Sequence, residues 1–130
     1  MIRKRVPDDA LARSLIQASF QEMSYIETLE PTLQGAATII RGIYENFRRL
    51  GEALLARQGF EGDHEDAINA LISLHLKTQR PLQVLDILRR LRHDINYRGY
   101  QPSQADLEDV LSIKNFFWKV ILEEVKKRLG

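Results

Sequence analysis

Along nearly the whole chain apolar residues recur at spacings of three and four, and no convincing run alternates with a period of two. Side chains return to one face of a helix about every 3.6 residues and of a strand every 2 or so, so the pattern predicts helices and no sheet. The first helix is predicted to begin near Asp8, after Pro7, with Leu11, Leu15, Ala18, Glu22 and Tyr25 or Ile26 along one mostly apolar stripe. Pro31 breaks it, because the residue before a proline is pushed out of the helical region. The second helix is predicted over Thr32 to Gln58, where Leu33, Ala37, Ile40, Tyr44, Phe47, Leu50 and Leu54 recur, and Gly59 is its stop. Gly35, Gly42 and Gly51 fall inside it, and each costs about 1 kcal/mol against Ala, which close approach of a neighbouring helix justifies.

Asp63, with Asp66 three residues on, is a capping-box-like start for a third helix whose apolar stripe is Ala67, Leu71 and Leu74. The tripeptide QRP at 79–81 ends it and opens a fourth helix from about Pro81 to Tyr97, with Gly99 just past the end. The loop GYQPS leads to a final helix from Ser103 to Leu129, capped by Ser103 and Asp106. Its apolar face is Val110, Leu111, Phe117, Trp118, Ile121, Leu122 and Val125. Short loops favour antiparallel neighbours, so the expected fold is all-α, an up-and-down bundle of four to five helices in a single domain over 1–130.

Composition narrows this little. Apolar residues are 44% and charged residues 28% of the 130, which is ordinary for a globular domain able to bury one core. The lack of cysteine excludes disulfides and thiolate chemistry and suits a reducing compartment. No apolar run reaches membrane-spanning length, and MIRKRVPDDA has basic residues without the apolar stretch of a signal peptide. A cytoplasmic protein with no membrane association is expected. His64 and His75 lie too far apart to chelate one metal, no His-x3-His or HExxH pattern exists, and no glycine-rich nucleotide loop is present. Neither a metal site nor a cofactor is expected, and His64 reads as a surface residue of a first helical turn.

Charge is more informative in its distribution than in its total of +1. Residues 77–98 carry six basic and two acidic side chains, and the excess centres on LRRLRHDINYRGY at 88–100. On a helical wheel Leu85, Leu88, Arg92 and Ile95 or Asn96 form one stripe and Val84, Ile87, Leu91 and Ile95 a second, so Arg92 lies on or beside the buried face. Asp94 with Arg98, and Arg90 with Asp94, are pairs on the solvent side. A guanidinium near a core needs a carboxylate or an anion. Glu45, amid the apolar stripe of the second helix, is one candidate, and a phosphate from outside is the other.

These stretches resemble a HEPN-domain protein over nearly the whole chain. IYENFRRLGEALLARQGF is similar to the long HEPN helix that ends in a Leu-Leu pair and a glycine. GDHEDAINAL is similar to the His-containing stretch that starts the next helix. RHDINYRGY stands where the family carries its Arg-to-His motif, with Arg92 as the arginine and His93 as the polar residue after it. The resemblance implies a homodimer with motif helices facing one another. It also implies metal-independent endoribonuclease activity, often as a toxin beside a nucleotidyltransferase partner protein, in which the arginine grips the scissile phosphate and the histidine assists the ribose 2′-hydroxyl. The chain departs at that histidine: five residues after Arg92 stands Tyr97, then Arg98, and no histidine follows His93. A phenol with an ordinary pKa near 10 or so is a poor base at neutral pH.

The expected site is therefore a groove lined by Arg92, Asn96 and Tyr97 that binds RNA or nucleotide phosphate, with Arg89, Arg92, Asn96 and Arg98 as the phosphate-binding residues. Arg92 and Tyr97 are the pair any cleavage would use, and Glu45, His93 and Asp94 support them. His93, adjacent to Arg92, points about 100° away on a helix, and only a partner's copy is expected to reach the groove. The alternative is an inactive HEPN scaffold for dimerisation and partner binding, with Arg92 bonded internally to an acid such as Glu45. By the same resemblance Tyr100 is a candidate for modification, against packing over a helix end. Phe116, Phe117 and Trp118 are candidates for base stacking, against a place in the core.

Overall fold

The computed structural model describes residues 2–130 and is an all-α bundle of five helices. Helix α1 spans Asp9–Ile26, and Asp8 caps it by accepting from the Leu11 amide at 2.9 Å. Its buried stripe is Ala12, Ile16, Ser19, Met23 and Ile26. That is one position round from the expected stripe: Leu11 and Leu15 are half-buried at its edge and Tyr25 is exposed. Ala12 and Ser19 are small and fully buried.

Helix α2 spans Ala36–Gln58 and starts four residues later than the wheel predicts. Thr32 closes a turn ahead of it, its Oγ1 accepting from the Gly35 amide at 3.1 Å, and Leu33 is left exposed. Gly59, in the left-handed region at φ 84°, ends α2. The chain then forms β2 (Phe60–Glu61), which pairs antiparallel with β1 (Arg3–Lys4). Two residues are too few to print an alternation, so the sequence held no trace of this ladder.

Helix α3 spans His64–Ile72 behind the expected Asp63–Asp66 capping box. It stops well before residue 79, and His75 adopts φ 53°, a left-handed conformation that no helix continues through. Residues 73–81 cross to a single 3-10 turn at Leu82–Val84, and α4 runs Leu85–Arg98. Gly99, at φ 63°, turns the chain back so that the Tyr100 amide donates to the Asp94 carbonyl at 3.1 Å. Helix α5, Gln104–Leu129, opens on the Ser103–Asp106 capping box.

Helix α2 is the axis of the bundle. It packs against α1, α3, α4 and α5, and thirteen of its residues are buried. Its approach to α3 is closest at Gly51, where an added Cβ would stand 1.9 Å from the Ala67 carbonyl oxygen. At Gly42 the same atom would stand 2.6 Å from Ile26 Cδ1. Both glycines therefore let a neighbouring helix approach; Gly35 instead lies just outside α2, at its cap. Helix α4 is held more lightly, by buried Leu85, Leu88 and Ile95, with Ile87 exposed. Phe117 and Trp118 belong to the core, Trp118 meeting Phe47 edge-on at 5.2 Å, and only Phe116 of the three aromatics stays partly exposed. Among the described residues no helix is long and apolar enough to cross a membrane.

Candidate functional site

The basic segment becomes the exposed side of α4, and its arginines differ in what holds them. Arg89 and Arg90 share one carboxylate, that of Asp86, through Nε contacts of 2.8 and 2.9 Å. Arg90 thus pairs with Asp86 rather than Asp94, because Asp86 lies one turn toward the N-terminus. Arg98 reaches Asp94 at 3.7 Å on an open surface. Among the described residues Arg92 meets no carboxylate within salt-bridge distance.

Glu45 does not reach Arg92. Its two carboxylate oxygens accept from Arg48, which also binds Glu52, so one guanidinium links acids two turns of α2 apart. The i,i+3 and i,i+4 geometry delivers Arg48 to these acids before any residue of α4 can compete. Burial pushes the Glu45 carboxyl up, but the Arg48 hydrogen bond and the charges of Arg48 and Arg49 outweigh it, and the group is held below its ordinary value. For Glu52 burial wins, and that carboxyl is raised.

Arg92 is half-buried at the edge of the Leu85–Leu88–Ile95 stripe, as the first wheel stripe predicts. Its guanidinium carbon stands 5.7 Å from the ring centre of Tyr44 on α2 and 5.8 Å from that of Tyr97 on α4. With the Asn96 amide oxygen turned toward it, Arg92 donates to that oxygen from Nε at 3.0 Å and Nη2 at 3.3 Å. A planar cation held by two aromatic rings and one amide keeps its full charge and still has donors to offer. Tyr97 is 69% exposed, and the His93 ring packs on it at 5.0 Å. Arg92, Asn96, Tyr97 and His93 are thus gathered on one patch, while Arg98 and Asp94 lie beside it in solvent.

Two residues that sequence reasoning left out of the site stand under this patch. Tyr44 is fully buried, and its hydroxyl has no hydrogen-bond partner among the described residues. Burial pushes this phenol up to about 12, against the lowering influence of Arg48, Arg92 and Arg89. His64, the first residue of α3, lies against it with ring centres 5.9 Å apart. Burial first, then the positive charges of Arg48 and Arg92, hold the His64 imidazole below its ordinary value. At neutral pH this imidazole is neutral, and it sits among cations rather than on an open first turn.

Tyr44 on the apolar stripe of α2 reads as an ordinary core residue, and only its hydroxyl, on the same stripe as Phe47, hinted at more. His64 offered no signal, since its neighbours come from other helices. Tyr100 bonds through its hydroxyl to Asp106, the acid of the α5 capping box, which ties the α4–α5 loop to the start of α5. No family model, curated protein or solved structure matches the chain.

Proposed function

We propose that this chain binds RNA or nucleotide phosphate through Arg92, in the manner of a HEPN-like protein, with Asn96 orienting the guanidinium and Tyr97 offering an exposed ring on which a base stacks. One observation carries the reading: Arg92 is half-buried and has no acid within salt-bridge distance among the described residues, while Arg48, Arg89 and Arg90 all have one. A guanidinium held off water on one side and left without a carboxylate is poised for a bidentate anion, and phosphate matches its fork. The scaffold alternative required Arg92 to find an internal acid such as Glu45, and Glu45 is committed to Arg48. The four groups of the grip, Tyr44 included, belong to one chain, so a dimer is not needed to assemble it.

The test is binding of a labelled single-stranded RNA oligonucleotide at low salt, followed by fluorescence anisotropy. Arg92→Ala is expected to weaken binding by about tenfold or more, because a charged hydrogen-bonding pair contributes on the order of 1.5–3 kcal/mol. Arg92→Lys keeps the charge without the fork and falls between. The alanine variant should stay folded, losing less than about 1.5 kcal/mol, since it strands no buried carboxylate. Wild-type affinity in Arg92→Ala would defeat the reading. Incubation of the same RNA in EDTA reports separately on cleavage, with Tyr97→Phe as the comparison.

A further inference from the structure

We infer that the Tyr44 hydroxyl is a recognition donor for the phosphate that Arg92 holds. The inference rests on the phosphate-binding reading and adds to it a residue from the core of α2. Tyr44 is fully buried and its hydroxyl oxygen is unbonded among the described residues. A buried polar group without a partner costs free energy, and such groups are rare enough to call for a reason. A phenylalanine fills the same space at no such cost, and Phe47, one turn along, shows that α2 takes one there.

The neighbours explain why the hydroxyl finds nothing to donate to. Arg92 lies 5.7 Å from its ring and His64 5.9 Å, and Arg48 and Arg89 act on it electrostatically. Guanidinium groups have no acceptor, and the one acceptor nitrogen of the neutral His64 ring makes no bond to the hydroxyl. Glu45, the acid next in sequence, has both oxygens engaged by Arg48. Cations around one unbonded donor suit an anionic acceptor with several oxygens. A phosphate supplies one oxygen to Tyr44 and others to the Arg92 fork. The hydroxyl is buried in the free chain, so the inference requires the long Arg92 side chain to lift from the Tyr44 ring for a phosphate to enter.

His64 reports on occupancy. The groups facing it are Tyr44, Glu45 and Arg48 from α2, Arg92 from α4, and its own neighbour Asp63. An added phosphate opposes the two arginines, so it makes His64 easier to protonate.

The experiment compares wild type, Arg92→Ala and Tyr44→Phe in the full chain, with single-stranded RNA and with inorganic phosphate as competitor. Tyr44→Phe is expected to bind RNA about tenfold more weakly, with an unfolding temperature no lower than wild type, because the lost hydroxyl bonds nothing in the free protein. Competition by inorganic phosphate that weakens in Tyr44→Phe assigns the contact to the phosphate; RNA binding weakened without that change assigns it to the base or sugar and overturns the inference. Tyr44→Phe equal to wild type, with Arg92→Ala impaired, overturns the inference and leaves the reading of Arg92 standing. It would mean that a water satisfies the hydroxyl. A wild-type chain that binds no RNA at low salt ends both. Should Tyr44→Phe fail to fold, the Tyr44 hydroxyl proton of the wild-type chain decides by NMR: bonding to added phosphate is expected to move it downfield, and an unmoved resonance while the His64 titration shifts overturns the inference and leaves the reading of Arg92 standing.

Discussion

Two arginines in one bundle, Arg48 and Arg92, meet opposite fates, and the reason is local geometry. Arg48 has acids three residues before and four after it on the same helix face. Arg92 has Arg89 and Asn96 at those spacings and turns to rings instead. Arg48→Ala strands Glu45 and Glu52 half-buried, and is expected to cost about 2–3 kcal/mol in urea unfolding, more than Arg92→Ala. His64 gives the pH dependence. Its folded pKa lies below the ordinary imidazole value, so the folded state takes up the proton less readily than the unfolded chain. Stability present above about pH 6.5 is therefore lost as the pH falls below it. His64→Gln removes that part of the slope, which urea midpoints at about pH 7.5 and about pH 5.5 reveal. The position of Arg92 at the edge of the core was legible from period alone. Glu45's choice of Arg48 was legible too, in the three-residue spacing between them. The meeting of His64 with Tyr44 was not, because it joins α3 to α2.

At the scale of elements, what sequence specifies within one turn came through. Both capping boxes, the glycine stops at Gly59 and Gly99 and the four longest helices are written in adjacent residues. What depends on contact came through less well. The true stripe of α1 uses Ala12 and Ser19, small residues that hydropathy ranks beneath Leu11 and Leu15. The early end of α3 is followed by one left-handed residue, His75, that no rule of composition singles out. Gly51 tests the α2–α3 contact. Gly51→Ala gains helix propensity of about 1 kcal/mol yet drives a methyl into the Ala67 carbonyl, and overpacking of this kind costs roughly 1–3 kcal/mol or more. Net destabilisation in a thermal melt is expected; a stabilised variant would show that α3 can slide away. Ser103→Ala removes the bond to the Asp106 amide at 3.1 Å and should cost about 1 kcal/mol in the same measurement.

Across the whole molecule a net charge of +1 leaves little general attraction to nucleic acid, so on the proposed reading the attraction comes from the local field of α4. Asp86 and Asp94 already offset part of that field. A shallow dependence of RNA affinity on salt follows, and Arg92→Ala should lower the slope of log affinity against log salt by about one. An unchanged slope would place the phosphate elsewhere. The light anchoring of α4 by Leu85, Leu88 and Ile95, set against the thirteen buried residues of α2, has a kinetic consequence. Amide hydrogens in the middle of α2 should exchange with solvent only when the entire chain unfolds. Those of α4 should exchange through smaller excursions in which this helix peels away alone. The residue that grips would then ride on the segment freest to breathe, above a floor that stays fixed.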